Sequence, residues 1–191
     1  MMILKSRLSN LVCFDIFFNY RSFKLYFDYF ESHLGWVGML ASSKGIRRTT
    51  IPQDSKKKCL GLLGAERDSF SQGSDILLDI KEKLLKYFDG NEVPFNNVLI
   101  DIDGASEFLR QTLNVCRSIP FGETRTYRWL AIQLGKPNAF RAVGNAMSKN
   151  PLPILIPCHR VIATGGAIGG YASRDARIDI KRSLLDLESS F

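Results

Sequence analysis

The chain has 191 residues, 45% of them hydrophobic, and a net charge of +7 from 26 basic and 19 acidic side chains. This length and apolar content allow one large domain or two small domains, each with a hydrophobic core. The positive charge favours an anionic partner, most commonly nucleic acid, but it is equally compatible with a basic protein that has no such partner.

The cysteine pattern argues against two further classes of protein. The sequence contains four widely spaced cysteines and no CxxC pair: Cys13, Cys59, Cys116 and Cys158. Since His33 and His159 are the only histidines, the chain offers no plausible set of zinc ligands, and we predict no metal site. So few cysteines in a chain of this length also argue against a disulfide framework, which indicates a reducing, intracellular setting.

Residues 1–23 match no recognisable pattern. The apolar segment at 11–18 contains Asp15, is too short to span a bilayer and lacks the small-residue cleavage site of a signal peptide. An extra packing element, a disordered tail and a start codon placed too early all fit this segment. We expect no membrane association, and a cytoplasmic location, or a nuclear one in a eukaryote.

Residues 24–51 show a sequence pattern typical of β-strands. A strand-like alternation starts at Leu25, a second apolar run covers 36–41, and a turn at Gly45 precedes a third run at 46–51. Three consecutive strands joined by short turns predict an antiparallel meander.

Residues 52–73 are polar and mixed, which predicts a loop or irregular segment. Residues 76–88 show helical spacing, and Gly90 is a suitable C-terminal stop. The apolar face of this helix consists of Ile80, Leu84 and Phe88.

A short apolar strand at 98–100 and a domain boundary are predicted within the segment 91–103. Beyond it the chain turns helical, with one apolar stripe: Phe108, Leu109, Thr112, Leu113 and Cys116. Cys116 is therefore expected to be a core residue.

Two short helices separated by a glycine-containing break follow. Thr126 is a suitable N-cap for a helix over 127–134, and Asn138 for a second helix over 139–149. The residues expected to face inward from the second helix are Phe140, Val143 and Met147. Such a pair resembles a helix-turn-helix motif, although most pairs of this kind are packing units.

The second helix presents a narrow surface of small residues: Ala139, Ala142, Gly144, Asn145 and Ala146. A slim helix can approach DNA closely, even at the minor groove, where bulky side chains would clash. Arg141 projects from the same helix. Taken alone, Arg141 would be interpreted as a solvated surface charge.

The motif IPCHRVI at residues 156–162 carries the most chemical information. A cysteine beside a histidine, in an apolar run fixed by Pro157, is typical of a buried nucleophile. A free thiol has a pKa of about 8.5 and reacts as the thiolate, so a neighbouring imidazole is needed to take its proton, directly or through one water. A structural Cys-His pair is the common alternative.

Six motifs in order resemble the O6-alkylguanine-DNA alkyltransferases, also called methylated-DNA–protein-cysteine methyltransferases. They are IPFGET at 119–124, TY at 126–127, RAVG at 141–144, NP at 150–151, IPCHRVI at 156–162 and GGY at 169–171. The motifs ESHLGW at 31–36 and GIRR at 45–48 resemble the family's smaller N-terminal domain, less specifically.

This resemblance implies an α+β fold of two domains after an N-terminal extension, residues 1–23. Residues 24–97 would form a ribonuclease-H-like domain with an antiparallel sheet, and residues 98–191 a helical, winged-helix-like domain for DNA binding and alkyl transfer. The implied partner is double-stranded DNA containing O6-alkylguanine, with O4-alkylthymine as a further candidate substrate. The protein would be a monomer and would need no cofactor.

The implied reaction flips the alkylated base out of the duplex and transfers the alkyl group irreversibly to Cys158, so that each molecule acts once. His159 would remove the thiol proton through a water, and Glu188 would orient that imidazole. Tyr127 would contact the flipped nucleotide and donate a proton to the leaving guanine. Asn150 would tie the DNA-reading helix to the turn that carries the nucleophile.

Arg141 would fill the gap that the flipped base leaves in the stack. Arg160 would either make structural hydrogen bonds or face a phosphate. The other DNA-binding residues implied are Ala139, Ala142, Gly144 and Lys149. The implied pocket residues are Pro153, Val161, Tyr171 and Ala172.

One loop departs from the family, which continues after GGY with a small residue and two glycines where this chain has Ala172-Ser173-Arg174. The range of alkyl sizes is therefore open. Two rival functions remain: a non-enzymatic lesion-recognition protein, against which Cys158 argues, and a cysteine hydrolase, in which Arg141 would have no purpose.

Overall fold

The computed structural model describes residues 24–64, 70–168 and 177–189, and the N-terminal extension, with Cys13, lies outside them. Strands β1 (Leu25–Ser32), β2 (Gly35–Ser42) and β3 (Gly45–Thr49) form consecutive antiparallel pairs, which confirms the predicted meander. Gly45 has a φ of +146°, and a Cβ there would lie 2.5 Å from the carbonyl oxygen of Leu99, so only glycine fits this turn.

The prediction of a loop over residues 52–73 was wrong. This segment contains helix α1 (Lys56–Leu63) and strand β4 (Phe70–Gln72), which pairs in parallel with β1 and completes a sheet of order β3-β2-β1-β4. Helix α1 starts with three lysines, and its buried residues are only Cys59 and Leu63, so the sequence shows little helical periodicity. Packing against the sheet decides its conformation.

Helix α2 (Asp75–Phe88) confirms the predicted helix, and Ser74 caps its N-terminus by accepting a hydrogen bond from the Leu77 amide. The expected strand at 98–100 is reduced to one bridge between Ile100 and Ile46. The segment 91–106, which connects α2 to the next helix, otherwise lacks regular structure, because apart from this bridge it has no partner strand.

The second half of the chain is mainly helical. It contains helices α3 (Glu107–Arg117), α4 (Tyr127–Gln133), α5 (Phe140–Met147) and α6 (Ile178–Ser189). A 3-10 turn (Cys158–Arg160) lies between α5 and α6, and strands β5 (Arg125–Thr126) and β6 (Val161–Ile162) pair in parallel. The described chain is thus a mixed α+β fold with a four-stranded sheet.

Two details of the helix pair α4–α5 differ from the prediction. Thr126 caps α4 as expected, but the N-cap position of α5 is Ala139, without a side-chain hydrogen bond, and not Asn138. Phe140 is 44% exposed and does not face inward, whereas Val143 and Met147 are buried. Helix α5 starts at Phe140, one residue later than predicted, and ends at Met147, two residues earlier than predicted.

One continuous cluster of buried apolar residues runs from the sheet through α2 into α3, α4, α5 and α6. Cys116 belongs to this core and is fully buried, as expected. The edge of the sheet holds the second half of the chain directly, because the Thr49 amide and hydroxyl donate to the carbonyl oxygens of Pro151 and Pro153 at 3.0 and 2.7 Å. The segment before Cys158 is therefore anchored on β3.

Candidate active site

Cys158 opens the 3-10 turn and is 7% exposed. The Cys158 amide donates to the carbonyl oxygen of Ile156, and the Arg160 amide donates to that of Pro157, so the turn is closed by its own backbone. Four residues earlier, buried Ile154 has a φ of +76°, a conformation that β-branched residues avoid. The surrounding packing holds this strained backbone and so fixes the approach to the nucleophile.

Asn150 joins the end of helix α5 to this turn. Its Nδ2 group donates to the carbonyl oxygen of Ile156 at 2.9 Å and to the Sγ atom of Cys158 at 3.0 Å, while its Oδ1 atom accepts from the Leu152 amide. An amide N–H directed at sulfur favours the thiolate over the thiol, because the hydrogen bond is stronger to the charged form. The structure thus brings Asn150 and Cys158 together.

His159 and Glu188 form a buried pair beside the nucleophile. The Nε2 atom of His159 lies 2.7 Å from Oε1 of Glu188, and both side chains are at most 1% exposed. Since the carboxylate accepts hydrogen bonds, Nε2 carries the proton and Nδ1 carries the lone pair. The Nδ1 atom is buried and has no hydrogen-bond partner among the described residues, so it is the ring atom able to accept a proton.

The charge state of the pair suits this role. Burial lowers the pKa of His159 below its usual 6.5, against the raising effect of Glu188, so the imidazole is neutral at neutral pH. Burial alone would raise the pKa of Glu188, but the hydrogen bonds and charges of His159 and Arg160 outweigh it and bring that pKa to about 2. The site therefore contains a neutral base beside an ionised carboxylate.

Arg160 makes structural hydrogen bonds, which settles the alternative that the sequence left open. Its Nε and NH2 groups donate to the two oxygens of Glu188 at 2.8 and 2.9 Å, and its NH1 group donates to the carbonyl oxygen of Ile119. With a side chain 9% exposed, its guanidinium is the counter-charge of the buried carboxylate rather than a phosphate ligand.

Tyr127, at the start of α4, is half-buried near the nucleophile. Burial raises the pKa of its hydroxyl, and the neighbouring Cys158 and Cys116 sulfurs raise it further. The phenol therefore stays protonated at neutral pH and is available as a hydrogen-bond or proton donor.

Lys181 is a site residue that the sequence reasoning missed. Its side chain is fully buried, and its Nζ group donates to the carbonyl oxygens of Val161 and Ile168, both at 2.6 Å. Burial lowers the pKa of Lys181 to about 8, while attraction to the Cys158 sulfur opposes that shift. The signal in the sequence was a lysine on the apolar face of α6, between Ile180 and Leu184.

Helix α5 presents part of the expected small-residue surface; Ala146, which was expected on it, is 5% exposed and packs in the core instead. Arg141 and Ala142 are exposed, Gly144 is partly exposed, and a Cβ added at Gly144 would meet no atom within 4 Å. Ala139 is partly exposed and Lys149 is exposed near the end of the helix. This face therefore combines small side chains with the exposed cation of Arg141, and Lys149 lies near its end.

Of the predicted pocket residues, Pro153 and Val161 are buried close to the nucleophile's turn, whereas Tyr171 and Ala172 lie outside the described residues. In residues 24–64, 70–168 and 177–189, no group of His, Cys, Asp and Glu side chains is arranged to hold a metal ion. Within the same ranges, no helix has the length and apolar character needed to cross a membrane.

The chain is similar to proteins of one family. A sequence model described as 6-O-methylguanine DNA methyltransferase, DNA binding domain, matches residues 107–190. The methylated-DNA–protein-cysteine methyltransferase of Methanosarcina acetivorans is 36% identical over 166 residues, which cover 87% of this chain and 99% of that protein. The protein of the same name from Methanosarcina barkeri is 34% identical over 87% of this chain and 98% of its own length.

Solved structures agree with the sequence comparison. The crystal structure of Mycobacterium tuberculosis OGT in complex with DNA superposes with a TM-score of 0.71 at 30% identity, covering 86% of this chain and 93% of that chain. The O6-methylguanine-DNA methyltransferase from Pyrococcus kodakaraensis gives a TM-score of 0.64 at 26% identity, covering 86% and 98%. The chain belongs to the methylated-DNA–protein-cysteine methyltransferase family.

Proposed function

We propose that this protein repairs DNA by direct reversal, removing the alkyl group from O6-alkylguanine in duplex DNA and keeping it on Cys158. The observation that carries the proposal is the contact of Cys158 Sγ with Asn150, beside a buried His159–Glu188 pair whose Nδ1 atom is able to accept a proton. Relatives that share most of the chain are named for this activity.

DNA binding is proposed for the exposed face of α5. The O6 atom of a paired guanine is shielded by stacking, so the nucleotide must leave the duplex before the sulfur can reach its alkyl carbon. Arg141 is exposed on this face, where a planar guanidinium can stack in the vacated gap and hydrogen-bond to the orphaned base. The small residues Ala139, Ala142 and Gly144 let the helix approach closely, and Lys149 is placed to meet a phosphate.

The chemical step is an in-line displacement at the alkyl carbon. The thiol proton passes to Nδ1 of His159, directly or through a water, and the resulting thiolate forms a bond from sulfur to carbon as the bond from carbon to O6 breaks. The electron pair of the broken bond goes to guanine, and Tyr127 donates a proton to the guanine ring. Proton exchange with solvent then returns Tyr127 and His159 to neutrality.

The nucleophile is supported by two further groups. Asn150 donates to the sulfur, and the Lys181 ammonium attracts it, so both favour the thiolate. Asn150 also connects the turn of the nucleophile to the proposed DNA-binding helix α5, so that the flipped base and the sulfur are held in a fixed relative position.

The product is an S-alkyl cysteine. A thioether has no leaving group that water can displace under mild conditions, so the alkyl group stays on the protein and each molecule reacts once. The alkyl group moves directly from substrate to sulfur, and the step balances without a cofactor. O4-alkylthymine, whose alkyl oxygen also lies on the pairing edge, is proposed as a second substrate.

We further propose the finer division of the fold. Residues 24–97 would be a ribonuclease-H-like domain, supported by the sheet order β3-β2-β1-β4 with helices α1 and α2. Residues 98–191 would be a winged-helix-like domain, supported by the helix pair α4–α5 and the small β5–β6 sheet. The proposed location is the compartment that holds DNA, the cytoplasm or, in a eukaryote, the nucleus.

The proposal is tested by stoichiometry. Duplex DNA containing O6-methylguanine is incubated with increasing protein, and restored guanine is counted. We expect one guanine per protein molecule, no restoration by the Cys158→Ala variant, and normal restoration by the Cys59→Ala control. Binding without loss of the methyl group would instead identify a lesion-recognition protein, and continued turnover would refute the single-use mechanism.

A further inference from the structure

Tyr87 places a hydroxyl from the first half of the chain inside the active site. It lies on helix α2, is fully buried, and its hydroxyl donates to Oε1 of Glu188 at 2.7 Å, with Nε2 of His159 at 3.4 Å. Nothing in the proposed chemistry uses this group, and the sequence pattern of α2 indicates only an apolar face.

The hydroxyl is held in place by its ring. The Tyr87 ring makes edge-to-face contacts with Phe88, Phe95 and Phe121, at centroid distances of 5.6, 5.9 and 6.3 Å. Aromatic rings packed in this geometry have little freedom, so the hydroxyl points to one place. A residue that served only to fill the core would not need this polar tip, which a phenylalanine lacks.

The Glu188 carboxylate is surrounded by donors from several elements. Oε1 accepts from Tyr87, His159 and Arg160, and Oε2 accepts from Arg160 and from the Gly122 amide at 3.3 Å. Each donor spreads the negative charge of the carboxylate and limits its rotation. Tyr87 is the one donor among these that comes from outside the second half of the chain.

We infer that Tyr87 is a positioning residue for alkyl transfer, through which helix α2 keeps the Glu188 carboxylate oriented and partly neutralised so that His159 remains a neutral base. This inference rests on the proposed function, because it assigns Tyr87 a role in the proton transfer from Cys158. Tyr87 acts through Glu188 and His159 and does not itself touch the reacting atoms.

The direction of the effect follows from the charges around His159. The ionisable groups around His159 and Glu188 are Tyr87 on α2, Arg160 on the 3-10 turn and Lys181 on α6. A second set lies next to them: the thiols of Cys158 and Cys116 interact electrostatically with Tyr127 and with Lys181. Burial, Arg160 and Lys181 lower the pKa of His159, and Glu188 raises it. Without the Tyr87 hydroxyl, the negative charge of Glu188 attracts the imidazolium form of His159 more strongly. The pKa of His159 therefore rises, and less neutral base is present at a given pH.

The experiment uses Tyr87→Phe, which removes only the hydroxyl and keeps the ring. Single-turnover transfer from O6-methylguanine, as free base and in duplex DNA, is measured against pH. We expect the variant to be about tenfold slower at about pH 6 and within about twofold of the parent at about pH 8.5, equally on both substrates. Phe88→Leu, which perturbs the same packing without touching the hydroxyl, serves as the control and should not shift the pH profile.

A second measurement is independent of activity. The chain has two histidines, so NMR titration of the imidazole nitrogens resolves His159 from His33, and Tyr87→Phe should raise the pKa of His159. In a Glu188→Gln background the same change should alter the transfer rate by less than about twofold, because the two residues act as one unit.

The outcomes separate the inference from the proposed function. An unchanged pH profile and an unchanged His159 titration in Tyr87→Phe, or a uniform rate loss like that of Phe88→Leu, would overturn the inference while leaving the function intact. Failure of the parent protein to transfer a methyl group would overturn the proposed function and the inference with it.

Discussion

Replacing Glu188 by glutamine should be costly because this carboxylate is the counter-charge of a buried guanidinium. Arg160 donates two hydrogen bonds to Glu188 and its side chain is 9% exposed, so the substitution leaves a buried positive charge without its partner. Removing one member of a buried ion pair lowers the free energy of unfolding by about 3–5 kcal/mol. The pKa of Glu188 gives a similar figure, since its fall from 4.5 to about 2 corresponds to about 3 kcal/mol at about 1.4 kcal/mol per pH unit.

This stability has a defined pH dependence. Because the pKa of Glu188 is lower in the folded state than in the unfolded state, its contribution is fully present above about pH 4.5 and is lost as the pH falls through about 2. A loss of about 3 kcal/mol should lower the thermal midpoint of Glu188→Gln by about 6–12 °C at neutral pH, and the two proteins should converge in strong acid.

The assay is thermal or denaturant unfolding of both proteins at neutral and acidic pH. Glu107→Gln provides a matched control, since Glu107 is an exposed carboxylate whose side chain is 69% accessible and its loss should change stability by less than about 0.5 kcal/mol. A Glu188→Gln variant within about 1 kcal/mol of the parent at neutral pH would refute the reasoning, as would a difference that persists unchanged in acid.

Three further predictions concern the reaction. Arg141→Ala should slow repair in duplex DNA about tenfold more than reaction with the free base, because Arg141 acts on the flipped duplex and not on the chemistry; equal losses on both substrates would contradict this. Asn150→Ala should slow transfer about tenfold on both substrates, since Sγ loses its 3.0 Å donor, and an unchanged single-turnover rate would argue against it. Lys181→Met should slow the alkylation of Cys158 by iodoacetamide below about pH 8, because the parent carries the ammonium there; at higher pH the two rates should be equal. A decrease in rate of equal size at every pH would show that the charge is not responsible.

The parts of the fold that sequence predicted are those with strong local periodicity. The meander of β1, β2 and β3 follows from alternating residues and short turns, and α2 follows from its apolar face and the glycine stop at Gly90. Helix α1 was missed because its first turn is three lysines and its stability comes from packing on the sheet. The strand expected at 98–100 was wrong because apolar residues alone do not provide a pairing partner.

The site shows the same division. The motif around Cys158 identified the nucleophile and its neighbouring imidazole from the sequence alone, and Asn150 followed from the family resemblance. Tyr87 and Lys181 could not be predicted as site residues, because each reaches the site only through tertiary packing of helices α2 and α6. The useful signal in retrospect is a polar group on an otherwise apolar helix face, which needs a buried partner.

The most direct test of the central claim is the location of the transferred group. After reaction with one equivalent of DNA containing O6-methylguanine, the protein is digested and each cysteine peptide is weighed. We expect the mass of a single methyl group on the peptide containing Cys158 and none on the peptides containing Cys59 or Cys116. A methyl group on another cysteine, or full repair with Cys158 unmodified, would contradict this claim.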